Sequence, residues 1–286
     1  MGRSVTASFR ELLAAERQDG RAVGAFTCYD LATAVGVLRA AEAARAPVIL
    51  LVSCASFTGP GGSLLVAGLL AALREAGVAG CVQLDHVDDL ATIGRAIELG
   101  VGAVMADGSK LSFEDNADLV REAAKLAHPR GAGIEAELGH IEGGEDVAVA
   151  AAAGALTDPD EACTFVARTG ADCLAVSIGN VHGAYAHPPA LDWQRLVEIR
   201  DRVDVPLSLH GASGLPADEV RCAVSYGIAK VNLNAELRKR AFEELAARMP
   251  QLEHGYRMLD LQDSLASAAA EVAGATLTLL RGGAEL

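Results

Sequence analysis

Three histidines lie where a predicted strand gives way to a loop, and they are the first sign of chemistry in the sequence. His86 follows Leu-Asp, His182 lies in a Gly-Asn-Val-His-Gly segment, and His210 ends the apolar run that begins at Val205. Because the carboxyl ends of parallel strands meet on one face of an α/β fold, these imidazoles could converge. Three imidazoles with a fourth position open to substrate are typical of a catalytic zinc site. The alternative is that each histidine is simply hydrogen-bonded within a turn.

Asp85 directly precedes His86, and a carboxylate beside a metal could act as a general acid or base toward the oxygen of a reacting carbon. Neighbouring residues of a regular strand face opposite sides. Both side chains therefore reach one site only if the strand ends near Leu84, and we expect the turn to begin there. The alternative for Asp85 is a cap on the following helix, a role that Asp88 could fill instead.

Two segments with small residues follow the predicted strands that end at Leu209 and Leu233. Gly211-Ala-Ser-Gly214 offers free backbone amides, and Asn232-Leu-Asn-Ala-Glu236 leads into the next predicted helix. Barrels commonly bind phosphate at this position through amides and a helix N-terminus. Such a site needs little positive charge, so an acidic protein could still bind an anionic substrate.

Short apolar runs alternate with segments of helical period along nearly the whole chain, a pattern typical of βα units. Eight such units predict a (β/α)8 TIM barrel of the α/β class. An open doubly wound sheet is the alternative, but Phe26-Thr-Cys-Tyr-Asp30 lacks the glycine-rich dinucleotide turn. No linker rich in proline or serine divides the chain, so we expect one domain over residues 1–286. The predicted strands are Ala22–Phe26, Val48–Val52, Cys81–Leu84, Ala103–Ala106, Gly133–Leu138, Cys173–Ile178, Val205–Leu209 and Ile228–Leu233.

Two further segments interrupt this rhythm. Gly139–Leu156 contains glycine, acidic residues and an alanine run, which indicates either a lid or binding loop or a plain surface excursion. Tyr256–Arg281 is predicted to be an additional C-terminal amphipathic helix. This helix could cover the barrel or pair with another subunit.

Charge and cysteine content exclude several classes of protein. The formal net charge of -14 argues against nucleic acid as a partner, since phosphate backbones are bound through excess Lys and Arg. The six cysteines show no CxxC spacing, so we expect reduced cysteines in a cytoplasmic protein. The charged first stretch, with Arg10 and Glu11, excludes a signal peptide, and no apolar run suggests a membrane partner.

A set of motifs resembles the class II, metal-dependent ketose-bisphosphate aldolases, particularly the fructose- and tagatose-bisphosphate branch, from about Ala22 to Leu237. The resemblance implies reversible cleavage of a ketose 1,6-bisphosphate into dihydroxyacetone phosphate and an aldehyde through a zinc-stabilised enediolate. No lysine Schiff base is then required, and we assign Lys110 and Lys230 surface or structural roles. The motifs are Leu84-Asp-His86, Met105-Ala-Asp-Gly-Ser109, Glu135-Ala-Glu-Leu-Gly139, Ile178-Gly-Asn-Val-His-Gly183, Leu209-His-Gly-Ala-Ser-Gly-Leu215 and Lys230-Val-Asn232.

The same resemblance implies roles for individual residues. Zn²⁺, or another divalent metal, would be held by His86, His182 and His210, and a monovalent cation is also compatible with the family. Asp85 would exchange a proton at the aldehyde oxygen, and Glu145 would exchange the proton on the dihydroxyacetone phosphate carbon. Residues implied to contact the donor or its phosphate are Ser53, Gly183, Gly211, Ala212, Ser213, Asn232, Leu233, Asn234 and Ala235. Acidic residues implied to support the metal or hold a second one are Asp107, Glu135 and Glu137.

The sequence also departs from the family pattern. Ala235 stands where threonine is usual as a phosphate ligand, Ala186 where many members carry lysine, and Glu142 where the first loop glycine is usual. The catalytic core is retained, whereas the residues that recognise phosphate are altered. Besides the ketose-bisphosphate aldolase, we therefore keep two alternatives, an aldolase with a different donor or acceptor in a specialised pathway and a noncatalytic barrel acting as a partner subunit. We expect a phosphorylated sugar as substrate and a homodimer or homotetramer.

Overall fold

Eight parallel strands close into a barrel in chain order, with the first strand paired to both the second and the eighth. The computed structural model describes residues 7–143, 154–183, 185 and 190–282. Closure confirms the predicted TIM barrel and excludes the open sheet. The strands are β1 (Val23–Thr27), β2 (Val48–Ser53), β3 (Gly80–Val87), β4 (Ala103–Ala106), β5 (Gly133–Leu138), β6 (Cys173–Val176), β7 (Leu207–Leu209) and β8 (Ile228–Leu233).

Helices surround the barrel between successive strands. Most begin at a residue whose side chain accepts a hydrogen bond from the backbone of the first turn, such as Asp30 or Ser112. One of them, over residues 54–58, was not predicted, because five residues carry too little periodicity to be recognised. The helices are α1 (Phe9–Gln18), α2 (Leu31–Ala44), α3 (Cys54–Thr58), α4 (Gly62–Glu75), α5 (Leu90–Glu98), α6 (Phe113–Ala127), α7 (Pro159–Thr169), α8 (Trp193–Arg202), α9 (Ala217–Ser225), α10 (Ala235–Leu252) and α11 (Met258–Leu280).

Apolar side chains close the amino-terminal end of the barrel. Phe9, Leu12 and Leu13 of α1 are buried against inward-facing residues such as Val23 and Ile49. A capping box holds the start of this helix, where Ser8 and Glu11 each bind the other's backbone amide. Alternate strand residues on the opposite face fill a second core between the sheet and the surrounding helices. Because one end of the barrel is filled with apolar groups, polar inward-facing residues are concentrated toward the carboxyl ends of the strands.

The C-terminal helix α11 packs along α2 and also contacts α10. Its apolar face, including Ala273 and Leu277, belongs to the core between the sheet and the helices. The carbonyl of Leu280 accepts a hydrogen bond from the Ala22 amide just before β1, at 3.2 Å. The predicted tail helix therefore covers the barrel. Within the described ranges no helix, the 23-residue α11 included, combines the length and apolar character needed to cross a bilayer.

Close packing of α2 on α11 makes Gly36 a sensitive position. A Cβ atom added at Gly36 would lie 2.1 Å from the Ala266 carbonyl oxygen, whereas one added at Gly94, inside α5, meets nothing within 4 Å. We expect Gly36→Ala to destabilise the fold by about 1–3 kcal/mol or more, since backbone must move to admit the methyl group. The matched Gly94→Ala should stabilise by roughly 0.5–1 kcal/mol. Urea denaturation of both variants checks this, and a neutral Gly36→Ala would contradict the packing argument.

Candidate active site

A bulge at the end of β3 brings Asp85 and His86 to the same site. The strand does not end near Leu84, as expected from the sequence, but continues to Val87, with a register shift against β4 between these two residues. His86 has a φ of 50°, in the left-handed region that few residues other than glycine adopt. The extra residue of a bulge turns one side chain toward the face of its neighbour. Asp85 and His86 thus both reach the barrel mouth without the strand ending.

Asp89, and neither Asp85 nor Asp88, caps the helix after β3. Its carboxylate accepts a hydrogen bond from the Thr92 amide at 2.8 Å at the start of α5. Asp85 is instead 2% exposed inside the barrel, 3.5 Å from the amide nitrogen of Asn232. The helix-cap alternative for Asp85 is therefore wrong, and its carboxylate lies at the barrel mouth.

The three predicted histidines converge with one carboxylate at this mouth. Ligand atoms of His86, Glu137, His182 and His210 all lie within 4.8 Å of one another. The ring centroids of the three histidines are 5.0 to 5.8 Å apart. Asn180 stabilises the arrangement, because its side-chain amide donates to the His210 carbonyl at 3.0 Å and so ties the loop after β6 to the end of β7.

Neighbouring carboxylates determine which ring nitrogen of His86 and of His210 faces this centre. His86 donates from Nδ1 to Asp107 at 2.7 Å, and His210 donates from Nε2 to Glu135 at 2.9 Å. A neutral imidazole then has a lone pair on the other nitrogen. Those two nitrogens, His86 Nε2 and His210 Nδ1, face each other at 3.1 Å. Two facing lone pairs repel unless a proton or a metal ion lies between them. Two nitrogens that bind the same zinc ion, each about 2.0–2.1 Å from it, can lie about 3.1 Å from each other.

Glu137 adds an anionic oxygen to the set. Its Oε1 accepts a hydrogen bond from the Ile141 amide at 3.2 Å, while within the described part of the chain its buried Oε2 has no hydrogen-bond partner. Burial, reinforced by the charge of Asp107, raises the pKa of Glu137 to about 7. A buried carboxylate of this kind is stabilised by a nearby cation. Three imidazoles and one carboxylate oxygen suit a divalent metal such as zinc.

Below the histidines, Glu135 is the centre of a buried polar network. Its Oε2 accepts from Lys230 at 2.8 Å and from Gln83 at 2.5 Å, and its Oε1 accepts from His210. Burial alone would raise the pKa of Glu135, but Lys230 and His210 outweigh burial and hold that pKa well below its usual range. Lys230, which is fully buried, also donates to Asn232 at 2.5 Å. Of the two roles expected for Lys230, the surface role is wrong, since the side chain lies inside the barrel.

The loops after β6 and β7 approach each other closely. A Cβ atom at Gly211, whose φ is 62°, would lie 2.0 Å from the Val181 carbonyl oxygen. Only glycine permits this contact, which keeps the His182 and His210 loops together. The Tyr185 hydroxyl also donates to the Gly211 carbonyl, at 2.8 Å. The backbone of this region is thus fixed next to the histidines.

The loop after β7 also contacts the start of α10. The Ala235 amide donates to the Ser213 hydroxyl at 3.3 Å, and Asn234 accepts a hydrogen bond from Tyr29 at 3.0 Å.

Leu233 faces outward into the core between sheet and helices, so only its backbone can contact a ligand in the barrel. Ser53, at the end of β2, pairs with Asp85 across the sheet and accepts from the Ser56 amide at the start of α3.

The structure brings the described predicted site residues to one end of the barrel. Glu145 and Ala186 lie outside the described residues, as does most of the Gly139–Leu156 segment. A cavity of about 410 Å³ beside the histidines also includes Cys54, Ser109 and His140 in its lining. The residues brought together are Ser53, Asp85, His86, Asp107, Glu135, Glu137, His182, Gly183, His210, Gly211, Ala212, Ser213, Asn232, Leu233, Asn234 and Ala235.

Three residues with evident roles in shaping this region were not singled out from the sequence. Asn180 and Tyr185 position the loops around the histidines, and Glu236 binds the loop after β7. Asn180 and Tyr185 flank His182 in the sequence, and Glu236 ends the Asn232-Leu-Asn-Ala-Glu236 segment that leads into a predicted helix. Their nearness to predicted site residues was a signal that they belong to the site. Their roles could not be predicted, because the groups that they bind are distant in sequence.

Comparison with known proteins identifies the class. The profile of the family described as class II fructose-bisphosphate aldolase matches residues 7–281. The chain therefore belongs to the class II fructose-bisphosphate aldolases, a family of metal-dependent lyases that act on phosphorylated sugars. The resemblance inferred from the motifs is confirmed.

The chain is also similar to individual aldolases over most of its length. It is 43% identical over 243 residues, 84% of either chain, to the D-tagatose-1,6-bisphosphate aldolase subunit GatY of Klebsiella oxytoca. The YdjI aldolase of Escherichia coli K12 has a similar structure, with a TM-score of 0.85 at 31% identity, over 96% of this chain and 97% of that one. A Coccidioides immitis protein assigned as a fructose-1,6-bisphosphate aldolase superposes with a TM-score of 0.86 at 32% identity, over 94% of each chain.

Metal binding can be tested at His210. We expect His210→Ala to weaken zinc affinity by at least roughly 100-fold, since changes to residues that merely support a ligand already cost about 10–100-fold. Competition with a fluorescent chelator measures the affinity. His128→Ala is the matched control, because His128 binds Asp172 away from the histidine cluster and should leave zinc affinity unchanged. Equal zinc affinity in the folded His210→Ala protein would remove His210 from the metal site.

Proposed function

We propose that the protein is a zinc-dependent aldolase that reversibly cleaves a ketose 1,6-bisphosphate, of the fructose or tagatose type, into dihydroxyacetone phosphate and an aldehyde. The observation that carries the proposal is the convergence of Asp85 with His86, His182 and His210 at one barrel mouth. Family membership and the tagatose-bisphosphate aldolase relative support the same reaction.

The metal would be held by the three histidines, with Glu137 beside them. When bound, a divalent cation would act as a Lewis acid toward the ketose oxygens and offset the negative charge that the donor half gains on cleavage. Asp107 and Glu135 would each hold a histidine in the required tautomer through the hydrogen bonds described above. Zinc suits nitrogen-rich ligands, and another divalent metal or an accompanying monovalent cation remains compatible with the site.

Two carboxylates would transfer the protons of the reaction. As the C3–C4 bond breaks, its electron pair stays with the donor half, and the C4 hydroxyl proton moves to Asp85 while the aldehyde carbonyl forms. Glu145 would then deliver a proton to the donor carbon, and the reverse reaction would return both protons. Asp85 suits this task because it is buried, and Asn232 holds its carboxylate near the histidines.

The donor phosphate would lie at the loops after β6, β7 and β8. Backbone amides around Gly183 and Gly211, the Ser213 hydroxyl and the start of α10 would bind it, since amides at a helix start attract phosphate. Ser53, Ala212, Asn232, Leu233, Asn234 and Ala235 would complete the substrate contacts, Leu233 through its backbone. We further propose a single domain, a cytoplasmic location and a homodimer or homotetramer.

One observation favours a second candidate, a class II aldolase with an altered donor or acceptor. Ala235 presents a methyl group at the first position of α10, where the family usually has a threonine hydroxyl. The proposed phosphate site therefore has one hydroxyl donor fewer. A panel of donors and acceptors distinguishes this candidate from the bisphosphate aldolase.

Proton exchange into dihydroxyacetone phosphate tests the proposed function without assuming an acceptor. We expect the zinc-loaded protein in heavy water to replace one carbon-bound proton of dihydroxyacetone phosphate with deuterium, since the donor half-reaction requires that proton to be removed. Proton NMR follows the loss of signal, and a chelator should stop it. Absence of exchange by folded, zinc-loaded protein would refute dihydroxyacetone phosphate as the donor.

The two half-reactions can be separated at Asp85. Asp85→Ala should retain zinc and donor exchange but lose cleavage of the ketose bisphosphate by about 10²–10⁴-fold, the usual contribution of a general acid or base. A coupled assay for dihydroxyacetone phosphate measures cleavage, and NMR measures exchange. Asp118→Ala, at an exposed position on α6, controls for loss of one negative charge. Full cleavage by Asp85→Ala would exclude the proposed proton transfer.

A further inference from the structure

The carboxylate of Glu236 lies against the loop proposed to hold the donor phosphate. Its Oε2 accepts a hydrogen bond from the Ser213 hydroxyl at 2.5 Å, and its Oε1 accepts one from the Gly214 amide at 2.8 Å. Glu236 lies in the first turn of α10, whereas Ser213 and Gly214 follow β7. Two donors of this loop therefore already bind an anionic group of the protein.

The proton of Ser213 is central to what this loop can bind. A serine hydroxyl has one proton, and here it is donated to Glu236. The hydroxyl oxygen also accepts the hydrogen bond from the Ala235 amide. What remains on the Ser213 oxygen is acceptor capacity, and a phosphate dianion has no proton to donate to it. Phosphate could use this hydroxyl only after its proton turns away from Glu236.

The charge of Glu236 acts in the same direction. The start of a helix stabilises a nearby negative charge, and Glu236 already supplies one at the start of α10. Its charge also reaches Tyr185 on the other side of the loop, where burial first and the Glu236 carboxylate in addition raise the pKa of the phenol to about 12. A phosphate entering between them would meet a carboxylate of like charge.

We propose that Glu236 is a specificity-determining residue for the donor half of the substrate. Its carboxylate competes with a donor phosphate for the Ser213 hydroxyl, which weakens the binding of phosphorylated donors and leaves that of uncharged donors unaffected. An unphosphorylated donor such as dihydroxyacetone leaves the bond between Glu236 and Ser213 intact. The inference rests on the proposed function, because it takes the loop at Ser213 as the place of the donor phosphate.

Binding of inorganic phosphate tests the proposal without relying on catalysis. Titration calorimetry on the zinc-loaded, full-length protein should show phosphate binding about tenfold tighter to Glu236→Gln than to the unmodified protein, since a hydrogen bond involving a charged group is commonly worth about that factor. The gain should vanish in the Ser213→Ala background, where the contested hydroxyl is absent. Equal phosphate affinity of Glu236→Gln and the unmodified protein would overturn the proposal, and an equal gain without Ser213 would place the effect elsewhere.

Donor preference supplies a second measurement. In the deuterium exchange assay, Glu236→Gln should lower KM for dihydroxyacetone phosphate about tenfold and leave KM for dihydroxyacetone unchanged. Glu243→Gln, which removes an equal charge from an exposed position further along α10, should alter neither. An unchanged ratio of the two KM values would contradict the assignment. Failure of the unmodified protein to exchange either donor would instead refute the proposed function, and the phosphate titration would still decide the role of Glu236.

Discussion

The ion pair between Glu135 and Lys230 is the interaction on which the interior of the barrel depends. Both side chains are fully buried, and neither charge could remain there alone, because removing a charge from water costs several kcal/mol unless a partner compensates it. The pair does more than balance charge, since Glu135 also orients His210 and Lys230 also orients Asn232. The positions of the histidine cluster and of the catalytic candidate Asp85 are thereby coupled to one buried electrostatic contact.

The two ends of the barrel show how such a polar interior is tolerated. At the amino-terminal end, α1 fills the space with apolar side chains. At the carboxyl end, carboxylates, imidazoles and amides form hydrogen bonds with one another. Glu137 is among the described residues with a buried oxygen that lacks a hydrogen-bond partner, and a cation would stabilise it. A dry, rigid base beneath a charged mouth keeps the ligand-binding groups preorganised, which is the condition for electrostatic stabilisation of a reaction.

Much of the fold could be predicted from the sequence, because the strands are short apolar runs and most of the helices show the apolar periodicity of a helix. The limits of β4, β5 and β8 agree with the prediction to the residue. The bulge at His86 could not be predicted, since the left-handed histidine is held by a hydrogen bond to Asp107, which is remote in sequence. The histidines were recognisable because position at a strand end is a local property. Glu236 was not, because its importance depends on its contact with Ser213.

At the amino-terminal end of the barrel, residues near the first described helix contact residues at the end of the last one. The amide of Ala22 binds the carbonyl of Leu280, and the guanidinium of Arg281 binds the carboxylate of Glu16 at 2.6 Å. The first and last helices are thus neighbours, on the side opposite the histidines. Because the barrel is closed and its first and last helices are neighbours, the chain could begin at a different βα unit and still form the same ring. Circular permutation, in which a short linker joins these helices and new ends are opened in an outer loop, would preserve every contact at the mouth.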